Sequence, residues 1–401
     1  MKKQTSAGTR FGGLGMKICG YPSGLLERIA KLSAARQFKA IESFSGAGGM
    51  SLGLEWAGFD VALAFDYNKA AIATHTNNLR GKAIVADARE MTGSSLRAEA
   101  QIPKTSELDL FTGGPPCQGF SKQKRGAHSG DSRNDLVLEF TRLVCELNPR
   151  FFLFENVAIF GQKRGQQHLR IMEERMKDYQ FYPHFYNASL YGLPQTRQRF
   201  IMVGRRRDQK QGFRIPQPTV VNPRTVGEVL SGLPEPPKDH SVHPEFSNHQ
   251  DARVTQINRE RFSHVPQGGG WQDIPWALRL PCHKTVDPSQ GGWPDVYGRL
   301  EWNGFCPTIT GGFDSYTRGR YGHPLHDRPL SPREAARLQG FGDDFAFHGN
   351  RGDVRIQIGN AVPPPLAEAV GLAISYCLLV QEGLIEASLE MQPKPEQALL
   401  L

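Results

Sequence analysis

Four side chains in this 401-residue sequence have the types and settings of reacting groups: Cys117, Glu155, Arg197 and Arg199. Cys117 closes the stretch LDLFTGGPPC, in which an apolar run (Leu108 to Phe111) is followed by two glycines and two prolines. Pro115 and Pro116 fix φ and carry no N–H, so the approach to the thiol is stiff. A thiol beyond the carboxyl end of a parallel strand stands where α/β folds place reactive groups. Glu155 ends a second apolar run, FFLF, and a carboxylate in apolar surroundings tends to keep a proton it can hold or donate. Arg197 and Arg199, in PQTRQRF, are two residues apart. On an extended strand both face one side, where paired guanidiniums suit a carbonyl, carboxylate or phosphate.

A second constellation points to an adenosine-containing ligand. FSGAGG (Phe44 to Gly49) sits between a strand pattern and a helix pattern, and its glycines allow a tight turn and close backbone approach. Asp66 ends the next strand, where a carboxylate can accept from ribose hydroxyls. Tyr67 beside it can pack on an adenine ring, and Asp87, ending a third strand, can accept from the adenine amino group. No Gly-Lys-Ser/Thr follows the glycines, which excludes a P-loop. Ser121 to Leu136 is poor in apolar residues and places three cations within Lys122 to Arg125. Such a basic loop beside the thiol can close on a phosphate backbone and exclude water.

The elements that must position these groups follow from periodicity. From residue 40 strands and helices alternate: AIESF, GMSLGLEWA, DVALAFD, NKAAIATHTNN, AIVAD, LDLF, a helix within Asp135 to Leu147, and FFLF. That rhythm predicts an α/β fold with a doubly wound, mostly parallel sheet. Strand-like runs around Tyr182 to Leu190 and Phe200 to Val203 are expected to pair antiparallel at one sheet edge. Near residue 208 prolines break the rhythm, and a region rich in Gly, Pro, His, Trp and Arg runs to 327. Order returns at RPLSPREAARLQGF, with Ser331 as N-cap, Pro332 at the first helical position, Glu334 closing a capping box and Gly340 at the exit. A last helix starts near Pro365. The expected division is an N-terminal extension (1–39), a catalytic domain in two parts (40–207 and 328–385), an inserted smaller irregular domain (208–327) and a C-terminal tail (386–401).

Composition narrows the class. Six cysteines occur singly with no Cys-x-x-Cys, so neither a disulfide framework nor a metal site is expected. That usage fits a reducing, cytoplasmic setting. The start of the chain is basic but has no apolar core long enough for a signal peptide, and no stretch approaches the ~20 apolar residues of a membrane span. The formal charge of +8 is compatible with a polyanionic partner.

The ordered blocks FSGAGG, FD (Phe65-Asp66), AD (Ala86-Asp87), GGPPCQGFS, ENV, PQTRQR, RPLSPREAARLQGF and GNAVP resemble the C5-cytosine-specific DNA methyltransferases. The resemblance implies a Rossmann-like domain that uses S-adenosylmethionine and flips a cytosine out of double-stranded DNA. It implies that Cys117 adds to C6, that protonated Glu155 bonds N3, and that Arg199, helped by Arg197, binds the O2 side. Phe44, Gly46, Gly48, Gly49, Asp66, Tyr67, Asp87, Pro116, Leu136, Asn360 and Val362 would surround the cofactor. Ser121, Lys122 and Arg133 would meet DNA, and the insert would be the target-recognition domain. Its candidates for base or phosphate contact are Arg253, Arg259, Arg261, Arg279, Lys284, Arg299, Arg318 and Arg320. The expected protein is a monomeric, nucleoid-associated bacterial or phage modification enzyme, with a restriction endonuclease as a possible partner. The alternatives are a tRNA cytosine methyltransferase, a catalytically silent DNA-binding regulator, and an exocyclic-amine methyltransferase, which needs no thiol.

Overall fold

The alternating apolar runs fold as the rhythm predicts. The computed structural model describes residues 24–116, 135–220, 222–286 and 293–387. Helix α1 (Leu25–Arg36) leads into β1 (Lys39–Ser43), α2 (Gly49–Trp56), β2 (Asp60–Asp66), α3 (Lys69–Asn78), β3 (Lys82–Val85), α4 (Gly93–Glu99), β4 (Leu110–Gly113), α5 (Asp135–Leu147), β5 (Phe151–Val157) and α6 (Gln166–Arg175). Strands β6 (Tyr179–Asn187), β7 (Gln195–Thr196) and β8 (Gln198–Arg206) follow. Then come α7 (Val226–Leu230), α8 (Gln256–Ser263), α9 (Pro281–Lys284), β9 (Cys306–Pro307), α10 (Pro332–Leu338), α11 (Arg351–Asn360) and α12 (Pro364–Gln381).

Seven strands form one sheet in the order β3-β2-β1-β4-β5-β8-β6. The first five are parallel, and β8 runs antiparallel between β5 and β6, the pairing expected at that edge. The central strands carry apolar side chains on both faces; Phe151, Phe152, Leu153 and Phe154 are all buried, as strands covered on both sides must be. One layer packs α1, α2 and α12 on the sheet through Ile29, Leu54, Val370 and Ile374. The opposite layer packs α4, α5 and α6 through Leu96, Phe140, Val144 and Met172.

The chain winds outward from β1 to β3 and then returns to β4, so strand order reverses between β1 and β4. Their last paired residues are Ser43 and Gly113, and the loops that follow leave at one level. That switch point is where an open α/β sheet leaves a crevice for a ligand.

Helices α2 and α12 approach closely because glycine lines the contact. A Cβ on Gly53 would stand 2.3 Å from the Pro364 carbonyl oxygen, and one on Gly49 2.3 Å from that of Val362. Contrary to the expectation that no stretch approaches a membrane span, helix α12 is long and apolar enough to cross one by length and composition; most of it is buried within the fold.

Packing runs across two of the expected boundaries. Within the described part of the N-terminal extension, Ile29 is fully buried in the core and Arg36 pairs with Glu382. Packing likewise continues past 208, where Phe213 and Ile215 are buried against the α12 layer. Helix α7 buries Val226, Val229 and Leu230 with Ala335, Leu338 and Phe341. The insert's own core is small, built on Phe262, Val265, Trp271, Ile274, Tyr297 and Tyr316. Prolines end the alternation at 208 without ending the packing. The predicted cap of α10 is present: Ser331 accepts from the Glu334 N–H, Glu334 from the Ser331 N–H, and Gly340 is left-handed (φ 91°). The C-terminal tail is described only to residue 387.

Candidate active site

At the switch point lies a cleft of about 340 Å³. Its walls come from the loop after β1 (Phe44, Ser45, Gly46), the end of β2 (Asp66, Tyr67), the residues after β4 (Gly114, Pro115, Pro116), the end of β5 (Glu155, Asn156), Arg197, Arg199 and the end of α11 (Gln357, Asn360, Val362). Segments from six separate parts of the sequence therefore meet in one crevice. Cys117, Ser121, Lys122 and Arg133 lie outside the described residues. Pro116, the neighbour of Cys117, is in the wall.

Glu155 and Arg199 face each other across adjacent strands. Arg199 Nε lies 2.9 Å from Glu155 Oε1, and both side chains are nearly buried. Burial raises the Glu155 pKa above the usual carboxylate range, although Arg199 and then Arg197 pull it down. The carboxyl is thus an ion-pair partner with a strengthened hold on a proton. Gly114 allows this: a Cβ there would lie 2.9 Å from Glu155 Oε2.

Arg197 lines the same cleft, but its terminal nitrogens are committed. Nη1 donates to the Ile309 carbonyl (2.8 Å), and Nη2 to the carbonyls of Gly359 (3.1 Å) and Ala361 (3.0 Å). Arg197 is a fully buried strut that holds the GNAV segment against the cleft, in place of the second arm of a guanidinium pair expected from strand alternation. The alternation fails because β7 ends at Thr196 and β8 begins at Gln198, leaving Arg197 in the break.

Two further positioning residues carry no signal in residue type alone. Asn156 Nδ2 donates to the Pro115 carbonyl (3.1 Å), while its Oδ1 accepts from the Val157 N–H. Gln195 accepts from the Ile309 N–H (2.9 Å) and donates to the Leu338 carbonyl (3.2 Å). Their places inside ENV and PQTRQR were the available clue.

On the cofactor side, Asp66 accepts from the N–H groups of Gly46 (3.0 Å) and Asn68 (2.9 Å), which pins the glycine turn. Each carboxylate oxygen retains a second lone pair. Tyr67 beside it is 69% exposed. Phe44 adopts φ 54° and Gly46 φ 52°, and a Cβ on Gly46 would meet nothing within 4 Å among the described residues. The turn therefore leaves room at the cleft. Gly48, Asp87 and Leu136 are not among the residues that line it. Gly48 (φ 93°) packs on α3, where a Cβ would strike Leu79 and His75. The Asp87 carboxylate accepts from the backbone and guanidinium of Arg89. Leu136 is half-buried on the first turn of α5. Below the cleft sequence reasoning missed a buried chain: Ser51 donates to Glu42, which lines the cleft, and His75 Nε2 lies 3.0 Å from Ser51 Oγ.

A sequence profile of the C-5 cytosine-specific DNA methylases matches residues 38–376. The chain belongs to that family. This methylase is 33% identical over 365 residues to the type II methyltransferase M.PspPI of Psychrobacter sp. (strain TA137), covering 88% of this chain and 82% of that one. It is 35% identical over 359 residues to the type II methyltransferase M.BbvI of Brevibacillus brevis, covering 83% and 90%. A solved structure assigned as an E. coli prophage-encoded DNA modification methyltransferase superposes with a TM-score of 0.64 at 30% identity, covering 85% of this methylase and 99% of that chain. The S. pombe Dnmt2 methyltransferase, at 19% identity and TM-score 0.53, shares the fold. The protein is a DNA (cytosine-5) methyltransferase of the type II modification class.

Proposed function

We propose that this methylase acts on a flipped cytosine in a specific duplex sequence, with Cys117 as nucleophile, Glu155 as proton holder and Arg199 as base clamp. The observation that carries this is the buried Glu155–Arg199 pair in the wall that contains Pro116, next to Cys117. Stacked bases hide the face that a thiolate must attack, so the base is extruded into the cleft. Cys117 adds to C6 through its thiolate, which makes C5 an enamine carbon. Glu155 holds its proton at N3 and stabilises the charge that addition develops, and Arg199 bonds O2. A base takes the C5 proton after transfer, and the Cys117–C6 bond breaks by β-elimination.

The cleft residues fit S-adenosylmethionine. Asp66 has lone pairs for ribose hydroxyls, Phe44 and the exposed Tyr67 offer faces for a purine, and the open Gly46 turn admits the ligand. When bound, this cofactor supplies an electrophilic methyl group. Arg197 holds the Gly359–Ala361 wall in place through the carbonyls of both residues. The monomeric state and a partner endonuclease belong to this proposal as the setting of a restriction–modification pair.

The test is base-resolution 5-methylcytosine sequencing of DNA from a methylation-free host expressing this chain, with Cys117→Ala in parallel. Full methylation at one short motif, lost in the variant, is expected. Methylation that survives in Cys117→Ala would overturn the nucleophile, and unmethylated DNA from soluble, cofactor-binding protein would move the substrate to tRNA.

A further inference from the structure

Hydrogen bonding sorts the insert's cations into those that hold the protein together and those left for a partner. Arg259 pairs with Asp251 (2.6 Å), Arg261 donates to the Leu278 carbonyl (2.7 Å), and Arg279 to the Ile274 carbonyl (2.8 Å). Arg299 binds the carbonyls of Val265 and Phe262, and Arg320 that of Gly268. Lys284 lies over the Trp276 ring. Arg253 and Arg318 are exposed, and neither guanidinium has a hydrogen-bond or ion-pair partner among the described residues.

Arg318 differs from Arg253 in how its loop is held. Phe313 is fully buried, and Asp314 pairs with Arg351 (2.9 Å) and Arg355 (3.4 Å) of α11. Tyr316 stacks on Tyr297 at 5.5 Å with rings 8° from parallel, and its hydroxyl donates to the Asp327 carbonyl (2.8 Å). A Cβ on Gly312 would lie 2.8 Å from Arg318 Cβ and 2.9 Å from its Cδ, so the aliphatic stem rests on that glycine. Gly311 abuts Ile356, and Ile356 lines the cleft. The same helix thus supplies the cleft wall and anchors the loop whose tip is Thr317–Arg318. An exposed guanidinium on a fixed stem, bolted beside the base cleft, has lost little freedom still to be lost on binding.

We propose that Arg318 reads a guanine near the target cytosine, donating to its O6 and N7 in the major groove. This rests on the duplex-DNA reading above, and the wild-type arm of the test separates the two. Purified wild type, Arg318→Ala, Arg318→Lys and Arg253→Ala are each given a duplex library randomised around the wild-type motif, and methylated products are sequenced. Arg318→Ala is expected to lower discrimination at one G·C position about 10- to 100-fold while still methylating the same cytosine. Arg318→Lys, a point donor without the fork, is expected to recover only part of it. Arg253→Ala should leave the motif unchanged. A uniform rate loss with an unchanged motif, accompanied by a shallower salt dependence of binding, would make Arg318 a phosphate contact and overturn the proposal. So would an unaltered Arg318→Ala profile. Thermal melting of each variant checks folding; should Arg318→Ala unfold, Arg318→Lys carries the test, and full wild-type discrimination in it would overturn the forked contact. Wild type that methylates no duplex would instead sink the duplex reading itself.

Discussion

Asn156 ties the carbonyl of Pro115 to the end of β5 through a 3.1 Å hydrogen bond from its side-chain amide. The two-proline approach to Cys117 and the strand that carries Glu155 are therefore one rigid piece. Replacing Asn156 by Ala frees the Pro115 carbonyl. A misplacement of about 1 Å costs on the order of 100-fold, so kcat should fall by about 10- to 100-fold while cofactor affinity by calorimetry stays within about twofold. An unchanged kcat would show that the tie does not position the thiol.

Glu155→Gln keeps the shape of the side chain and removes both the titrating proton and the charge opposite Arg199. Loss of a positioned proton donor costs about 10²- to 10⁴-fold. Single-turnover methylation of a cognate duplex should slow by that range with DNA binding retained.

Gly114→Ala places a methyl 2.9 Å from Glu155 Oε2 and in no other close contact among the described residues. The carboxyl must shift, and with it Arg199. We expect a loss of rate of about 10-fold or more at a melting temperature near wild type. Wild-type turnover would show that Glu155 has room to move.

Arg197→Ala leaves the carbonyls of Ile309, Gly359 and Ala361 without their buried donor. Each orphaned group costs about 1–3 kcal/mol, so urea denaturation should show a loss of several kcal/mol. Lysine offers one compact donor group in place of a planar fork and should not restore it.

Glu42 is fully buried, and burial pushes its pKa from 4.5 up to about 8. The folded state holds a proton that the unfolded chain releases above about 4.5, so this contribution is complete at low pH and is lost as pH rises toward 8. His75 has the opposite sense: burial lowers it from 6.5 to about 4, so its contribution is present above 6.5 and lost as pH falls toward 4. Between these limits the wild type should lose on the order of a few kcal/mol from about pH 6.5 to 8.5, and Glu42→Gln should lose much less. Urea midpoints across that interval check this; equal slopes in the two proteins would assign the proton elsewhere.

Most of the sheet was legible because its strands carry the period that burial on both faces imposes. DVALAFD matches β2 residue for residue, the helix expected within Asp135 to Leu147 fills that whole span as α5, and the cap of α10 was written in Ser331, Pro332 and Glu334. Helix α11 was not foreseen. Its sequence, RGDVRIQIGN, buries only Val354, Gln357, Ile358 and Gly359, and it is held largely by polar ties such as Thr74 to Gln357 and Asp314 to Arg351. The seam at 208 misled for a related reason: proline ends regular hydrogen bonding, whereas Phe213 and Ile215 keep the chain on the core. Of the site, residue types pointed to Glu155, Arg199 and Asp66. They could not separate Arg197 from Arg199, because a break of one residue between β7 and β8 decides which guanidinium faces which partner.

The packing of α2 on α12 also sets a timetable. Residues 49–56 wait for residues 364–381, more than 300 positions later in translation. At about 5–20 residues per second, roughly 15–65 s pass before the second surface has been synthesised. Until then the side of α2 that faces α12 has no native cover, and Val362, which closes one wall of the cleft, has not been made. A nascent chain therefore cannot close its cleft until Val362 and the helix that follows it have been made.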